Sequence, residues 1–367
     1  MLFGISLQAQ QFTTIYSFSN TPDGGALDSG VLLDPAGNIY GTTTIGGANG
    51  CGAVYEIDSK GNEQILHSFT ECSNTTASPD SSLIRDQSGN LYGTAYGAGP
   101  SFLGNVFKID ASGNYQPIYD FLPTHDGRHP YAGLVQDSAG NLYGATRRGG
   151  SKNVGIVFKI DAAGVETVLH DFTGGADGAI PFGTPIRDSN GNLYGTTSRG
   201  GMGFGFGTIY KIDATGQFTT LHTFAGGAQG GRPLAGLVRD SAGNLYGVTS
   251  NLGPSEHNGT LFKLDSAGKL TILHNFDAGG GRWPMGGLVR DSAGNLFGTC
   301  FEGGSYNAGT VFMFSATGVF RMLHEFNVFD GENPQGALTM DDSGILYGTT
   351  NVGGLGHWGT VFKISKH

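Results

Sequence analysis

The sequence predicts an all-β fold, a seven-bladed β-propeller of four-stranded antiparallel blades whose ring is closed by an N-terminal strand completing the last blade. Three observations predict it. A phrase of the form Gly-Asn-Leu-Tyr-Gly occurs seven times, with its aromatic residue at 40, 92, 143, 194, 246, 297 and 347, a period of 50–52 residues. Each period holds four short segments of β-branched and aromatic residues, alternating with period two and bounded by turn residues. The repeat is also out of phase with the ends of the chain, so that the first and last segments complement one another. A unit of about fifty residues with four short strands is the signature of a propeller blade.

The sixth unit shows the elements in order. Gly287-Leu288-Val289-Arg290 is a short apolar strand, a. Asp291-Ser292-Ala293-Gly294 is a turn, in which Asp bonds the backbone ahead and Gly supplies the positive φ that closes it. Strand b is Asn295-Leu296-Phe297-Gly298-Thr299, where Phe297 replaces the usual tyrosine. A glycine-rich loop leads to strand c, Thr310-Val311-Phe312-Met313-Phe314. In most units a second Asp-x-x-Gly turn follows, and strand d ends in phenylalanine, as in Leu273-His274-Asn275-Phe276. No segment has a helical period.

The ends of the chain complete the ring. Phe12 to Phe18 matches strand d, and the chain's last repeat segment, Gly359 to Ile364, matches strand c. The last blade therefore takes its outer strand from the N-terminus, which removes two open sheet edges. Strand a is innermost, where seven backbones converge. The position before its core is small in every unit (Gly30, Ser82, Gly133, Thr184, Gly236, Gly287, Ala337), which leaves a narrow central channel.

Composition narrows the function classes. The formal net charge is −10 and only 14% of residues are charged, which argues against a nucleic-acid partner, since phosphate binding needs a basic excess. No apolar run is long enough to span a bilayer. Residues 1–11 read as the remnant of a secretory signal, so the chain is expected to be exported, with one propeller domain over residues 12–367 and a monomeric state. The three cysteines fit export. Cys51 precedes strand c and Cys72 follows strand d of the first unit, nearly opposite one another, so they form a disulfide or remain as two thiols.

The repeated residues build the repeat, so function is sought where the repeats differ. The a–b and c–d turns are plain and share one face. The long, variable b–c and d–a loops share the other, where binding residues are expected on a rigid scaffold. Six of the eleven arginines fall there, among them Arg128, Arg147, Arg148, Arg232 and Arg282. Guanidinium groups pair bidentately with carboxylate or sulfate. Trp283 and Trp358 could stack on sugar rings, and His129 and His257 lie in the same loops. Two functional classes follow. One is an exported binding propeller that holds a glycan or a surface protein. The other is a polysaccharide lyase or glycosidase with its site over the channel. A lyase would use the arginines with His129 or His257 as proton carrier. A glycosidase would use two of Asp126, Glu256, Glu302 and Glu332.

Other signals read as scaffold. The strand-d histidines (His67, His170, His222, His274, His324) sit one per blade at the rim, too far apart to share a metal. No calcium loop, phosphate loop, nucleotide fingerprint or nucleophile elbow is present, and no cofactor is expected. The combination of Gly-Asn-Leu-Tyr-Gly-Thr-Thr, a Gly-Gly doublet, Gly-Thr-Val-Phe-Lys-Ile and Leu-His-x-Phe closely resembles the GloVer tandem repeat, as in Gly348 to Gly354 and Gly359 to Ile364. The resemblance covers residues 12–364. It implies an exported, surface-associated protein of an environmental bacterium, and it brings no catalytic residues. Such proteins often end in a sorting signal, where this sequence ends at Ser365-Lys366-His367.

Overall fold

The computed structural model describes residues 10–70, 78–123, 126–201, 205–251 and 258–366. Its backbone forms seven antiparallel blades, each running from a two-residue innermost strand to a six- to eight-residue outermost one, and a separate two-stranded ladder of Gly127–Arg128 with Arg148–Gly149. In the third blade these strands are Val135–Gln136, Leu142–Thr146, Ile156–Ile160 and Glu166–Asp171. In the seventh, Thr360–Lys366 pairs with Gln10–Ser17, so the N-terminal strand closes the blade as expected. The one helical element among the described residues is a 3-10 turn at Gly227–Gln229, and no helix there is long and apolar enough to cross a membrane.

The packing closes the ring. Seven apolar clusters are buried among the described residues, and each lies between two consecutive blades. The seventh joins Phe18 and Val361 of the last blade to Ile39, Tyr55 and Ile57 of the first. An open array of seven units would have six such interfaces. At every interface the phenylalanine that ends strand d meets a strand-c ring of the next blade at a steep angle, as in Phe121–Phe158 (5.3 Å between centroids, 70°). These edge-to-face pairs put a fully buried aromatic on both sides of each interface.

Each residue of the repeated phrase now has a physical role. Asp137 Oδ1 accepts from the amides of Ala139 (3.0 Å) and Asn141 (2.9 Å), while Oδ2 accepts from Asn141 Nδ2 and Tyr143 Oη, both at 2.9 Å. The same tyrosine carries the Arg187 guanidinium of the next blade over its ring, at 5.5 Å. The closing glycine makes room. Gly144 lies opposite Phe158 in the ladder, and a Cβ on it would sit 2.6 Å from that ring's Cζ. In all seven blades a strand-b glycine faces a strand-c aromatic in this way. The backbone there is ordinary strand, so glycine is required for space rather than for conformation.

The strand-d histidines take up inter-blade contacts. His67 stacks on Tyr115 (3.8 Å), His170 on Phe218 (3.7 Å), His274 on Phe320 (4.0 Å) and His324 on Phe12 (3.8 Å). His170 and His324 also reach Asp177 (3.2 Å) and Asp330 (3.1 Å) in the following loop, as Tyr16 and Tyr119 reach Asp23 and Asp126. Among the described residues, no three His, Cys, Asp or Glu side chains are grouped to hold a metal. Cys51 is disulfide-bonded and Cys300 is a buried free thiol, while Cys72 lies outside the described residues.

Candidate functional site

The long-loop face is built on a stitched backbone frame. Each d–a loop contains a residue in left-handed conformation: Ala26, Ser78, His129, Ile180, Arg232, Trp283 and Asn333, with φ between +31° and +57°. In six of the seven, proline follows. In six of the seven, all but Ser78, the amide of this residue donates to the b–c loop of the preceding blade, and in each unit its carbonyl accepts from the end of strand b. At His129 these bonds run to the Leu103 carbonyl (2.6 Å) and from the Arg147 amide (3.2 Å). Bulky residues at positive φ persist only where their surroundings over-determine them. Bonds on both sides and a following proline do so here.

The residue after each proline position stands at the mouth of the central channel. The ring reads Asp28, Asp80, Tyr131, Phe182, Leu234, Met285 and Gln335, one from each unit, above a throat lined by the small residues Gly30, Ser82, Gly133, Thr184, Gly236, Gly287 and Ala337. Together they enclose about 210 Å³. That is below the roughly 300–1,000 Å³ of pockets for drug-sized ligands, so the space suits a small ligand or the end of a longer one. The ring is divided. Gln335, Asp28, Asp80 and Tyr131 form a polar arc over four consecutive units, while Phe182, Leu234 and Met285 form an apolar arc over the other three.

The polar arc is rich in acceptors. The side-chain amides of Gln335 and Asn351 both donate to Asp28 Oδ1, which fixes this carboxyl at the cavity wall and leaves Oδ2 without a hydrogen bond among the described residues. Burial raises the Asp28 pKa to about 6 against the opposing pull of these two amides. Asp80 is enclosed by protein except where it faces the cavity, and its carboxyl makes no hydrogen bond among the described residues. Burial, then the charge of Asp28, push its pKa well up, while Arg147 pulls it down. Tyr131 is raised by burial and by the same two carboxyls. Its ring packs on Phe182 with centroids 4.1 Å apart, and the Arg147 guanidinium lies over the other partner, 5.6 Å from the Phe182 centroid. Behind them His129 stacks on Tyr96 at 4.5 Å, and burial lowers its pKa.

The residues singled out from the sequence are divided by this geometry. Arg147 and His129 stand next to the channel mouth. Arg128 and Arg148 face one another in a two-residue ladder, and Arg128 Nε and Nη2 donate to Asn153 Oδ1 at 3.1 and 2.6 Å. Arg282 pairs with Glu302 (2.6 Å), donates to Asn307 (3.0 Å) and lies over its neighbour Trp283. Arg232 is exposed, Trp283 packs toward Phe301, and Trp358 is partly exposed against Gly25. Of the acidic candidates, Asp126 accepts from Tyr119 Oη (2.9 Å) and the Leu122 amide (3.1 Å), the same loop-closing role that Asp23, Asp177 and Asp330 play in other units. Glu332 ladders with Val352 through its backbone. Glu256 and His257 lie outside the described residues.

Two of the mouth residues that matter most, Asp28 and Asp80, were not picked out by residue type. The signal that finds them is positional: the ring falls at 28, 80, 131, 182, 234, 285 and 335, in step with the repeat, with six residue types at seven positions and only aspartate occurring twice. A scaffold position would repeat its residue; this one repeats only its place.

Comparison with known proteins agrees with this picture of the fold. The model of the Gloeobacter/Verrucomicrobia repeat matches residues 1–205 and 183–367, and so the whole chain. The chain belongs to this repeat family. Among solved structures, the GloVer chain is similar to the extracellular domain of BT4673 from B. thetaiotaomicron in two crystal structures. The TM-scores are 0.63 and 0.64 at 12% and 13% identity, over 96% of this chain and 39% of that one. It thus spans about two-fifths of that domain. It is also similar to XC5397 from Xanthomonas campestris, a gluconolactonase, with a TM-score of 0.50 at 10% identity over 98% of this chain and 90% of that one. At such identities the likeness concerns the fold alone. No curated protein matches the GloVer chain significantly.

Proposed function

We propose that this GloVer propeller is an exported, monomeric binding protein that holds the end of a glycan in the mouth of its central channel, on the long-loop face. The observation that carries the reading is the divided ring. A pyranose has a rim of hydroxyl donors and an apolar face of C–H groups. The arc of Asp28, Asp80, Tyr131 and Gln335 offers acceptors for the first, and that of Phe182, Leu234 and Met285 offers a surface for the second. Planar polar groups held by other side chains, as Asp28 is held by Gln335 and Asn351, need little reordering to bind. The arginines argue against a uronate: Arg128 and Arg282 are tied to neighbours on separate blades, and one guanidinium, Arg147, approaches the mouth.

A glycan array probed with the purified protein and with Tyr131→Ala tests this. Binding of a defined class of glycan that is lost in the variant supports the reading. Binding unaffected by Tyr131→Ala, or no binding to any glycan, overturns it. The second reading, a glycosidase, gains from Asp28 and Asp80 standing in adjacent units, since two carboxyls of unequal acidity suit acid and base roles. Release of reducing sugar from the bound glycan, abolished in Asp80→Asn, would favour it.

A further inference from the structure

The chemistry of the mouth narrows the ligand beyond a sugar end, and the argument rests on the reading above. Asp28 and Asp80 line one cavity, and among the described residues Asp28 Oδ2 and both Asp80 carboxyl oxygens accept no hydrogen bond and neither carboxyl is paired with a cation. The groups around them are the Tyr131 hydroxyl, the Tyr96 and His129 rings, the amides of Gln335 and Asn351, and Arg147. Of these only Arg147 carries a fixed positive charge, and no ion pair within 4.0 Å joins it to either aspartate among the described residues. The cavity therefore has two half-buried carboxyls, one non-contacting guanidinium and an aromatic wall. Buried carboxyls left unpaired are costly and relieve the cost by staying protonated. A partner that brings both a positive charge and several N–H donors restores them to carboxylates.

We propose that the channel mouth recognises a primary ammonium on a small sugar ring, that is, an unacetylated amino sugar, with the ammonium between Asp28 and Asp80 and the ring against Tyr131 and Phe182. An ammonium supplies three donors to the three free carboxyl oxygens, and charge-assisted bonds of this kind are about twice as strong as neutral ones. The aromatic pair receives the charged end by its π face as well as the sugar ring by contact. An acetylated amine would lose the charge, keep a single N–H and add a group that the narrow throat has little space to admit. A carboxylate would meet two carboxyls of its own sign. Because Asp28 ionises near pH 6, binding of the ammonium strengthens as the pH rises through that value, for as long as the amine itself stays protonated.

Isothermal titration of the full chain with glucosamine, N-acetylglucosamine, glucose and cadaverine tests this, with chitosan and chitin oligomers as longer forms of the same pair. The expected result is binding of glucosamine at least about tenfold tighter than glucose, and little or none for N-acetylglucosamine. Asp80→Asn and Asp28→Asn each bring glucosamine to within about twofold of glucose, whatever their effect on glucose itself, and Asp28→Asn flattens the rise with pH. If an aspartate variant does not fold, the ligand series on the wild-type protein still decides. Equal binding of glucosamine, N-acetylglucosamine and glucose overturns the ammonium proposal and leaves the glycan reading standing. Binding of cadaverine as tightly as glucosamine shows an amine site without sugar recognition and overturns it in the other direction. No binding of any sugar overturns both.

Discussion

The pairing of a strand-b glycine with a strand-c ring is a physical claim that a double-mutant cycle measures. Gly195 faces Tyr210, and the three atoms nearest to a Cβ placed there all belong to that side chain, the hydroxyl oxygen first and then ring Cζ at 2.5 Å. Gly195 is not at positive φ, so alanine is barred by the ring alone. Gly195→Ala should therefore cost about 1–3 kcal/mol, the usual range for overpacking a tight core. Tyr210 is fully buried, and Tyr210→Ala should cost about 3–5 kcal/mol. In the double variant the new methyl enters vacated space. There alanine is no worse than glycine, and better by up to about 1 kcal/mol, because glycine weakens a strand. The two changes should then fall short of additivity by at least about 1 kcal/mol, beyond the roughly 0.5 kcal/mol scatter of independent sites. Urea unfolding of the four proteins, compared at constant m, gives the coupling. Additivity within about 0.5 kcal/mol would refute the idea that the glycine exists to admit the ring.

Further outcomes are expected. Tyr55 and Tyr210 bury hydroxyls with no hydrogen-bond partner among the described residues, where five other blades have phenylalanine. Tyr55→Phe and Tyr210→Phe should each stabilise the protein by about 1 kcal/mol, read as a higher urea midpoint. Burial lowers the pKa of His274, so as pH falls below about 6.5 the unfolded chain takes a proton that the folded stack on Phe320 resists. His274→Phe keeps a ring in place, and it should flatten the loss of stability on acidification by at most about 1.4 kcal/mol per pH unit; an unchanged slope would show that the stack tolerates the charge. Arg128→Ala should leave glycan binding within about twofold, since its guanidinium is spent on Asn153. We expect non-reducing peptide mapping to link Cys51 to Cys72, and a free Cys72 would exclude that pairing.

The fold was legible because every unit restates it. Turn chemistry at Asp137 and Gly140, alternation in the strands and the split between Gln10–Ser17 and Thr360–Lys366 are local features, and local features survive in a sequence. The roles of His170 and Asp126 were only half legible. Histidine at the rim pointed to blade contacts, but not to the bond His170 makes with Asp177 in the following loop; Tyr119 makes the same bond to Asp126, a scaffold role for a residue read as an acid candidate. The candidate site was harder to read. Charged and aromatic loop residues drew attention to Arg128, Arg282 and Trp283, which the fold ties to their own neighbours. Asp28 and Asp80 resemble ordinary loop aspartates in sequence. Only ring closure brings seven positions about fifty residues apart around one cavity, and convergence of that kind leaves no local trace.

The central claim is that the one variable ring at the channel mouth is the binding site. The most direct test is a crystal structure of the protein soaked with the strongest ligand from the glycan array. The expected result is an ordered sugar over the channel, within hydrogen-bond reach of Asp28 or Asp80 and against Tyr131 and Phe182. A sugar seated on the perimeter loops at Arg128 or Arg282, or on the Asp-x-x-Gly turn face, would contradict it.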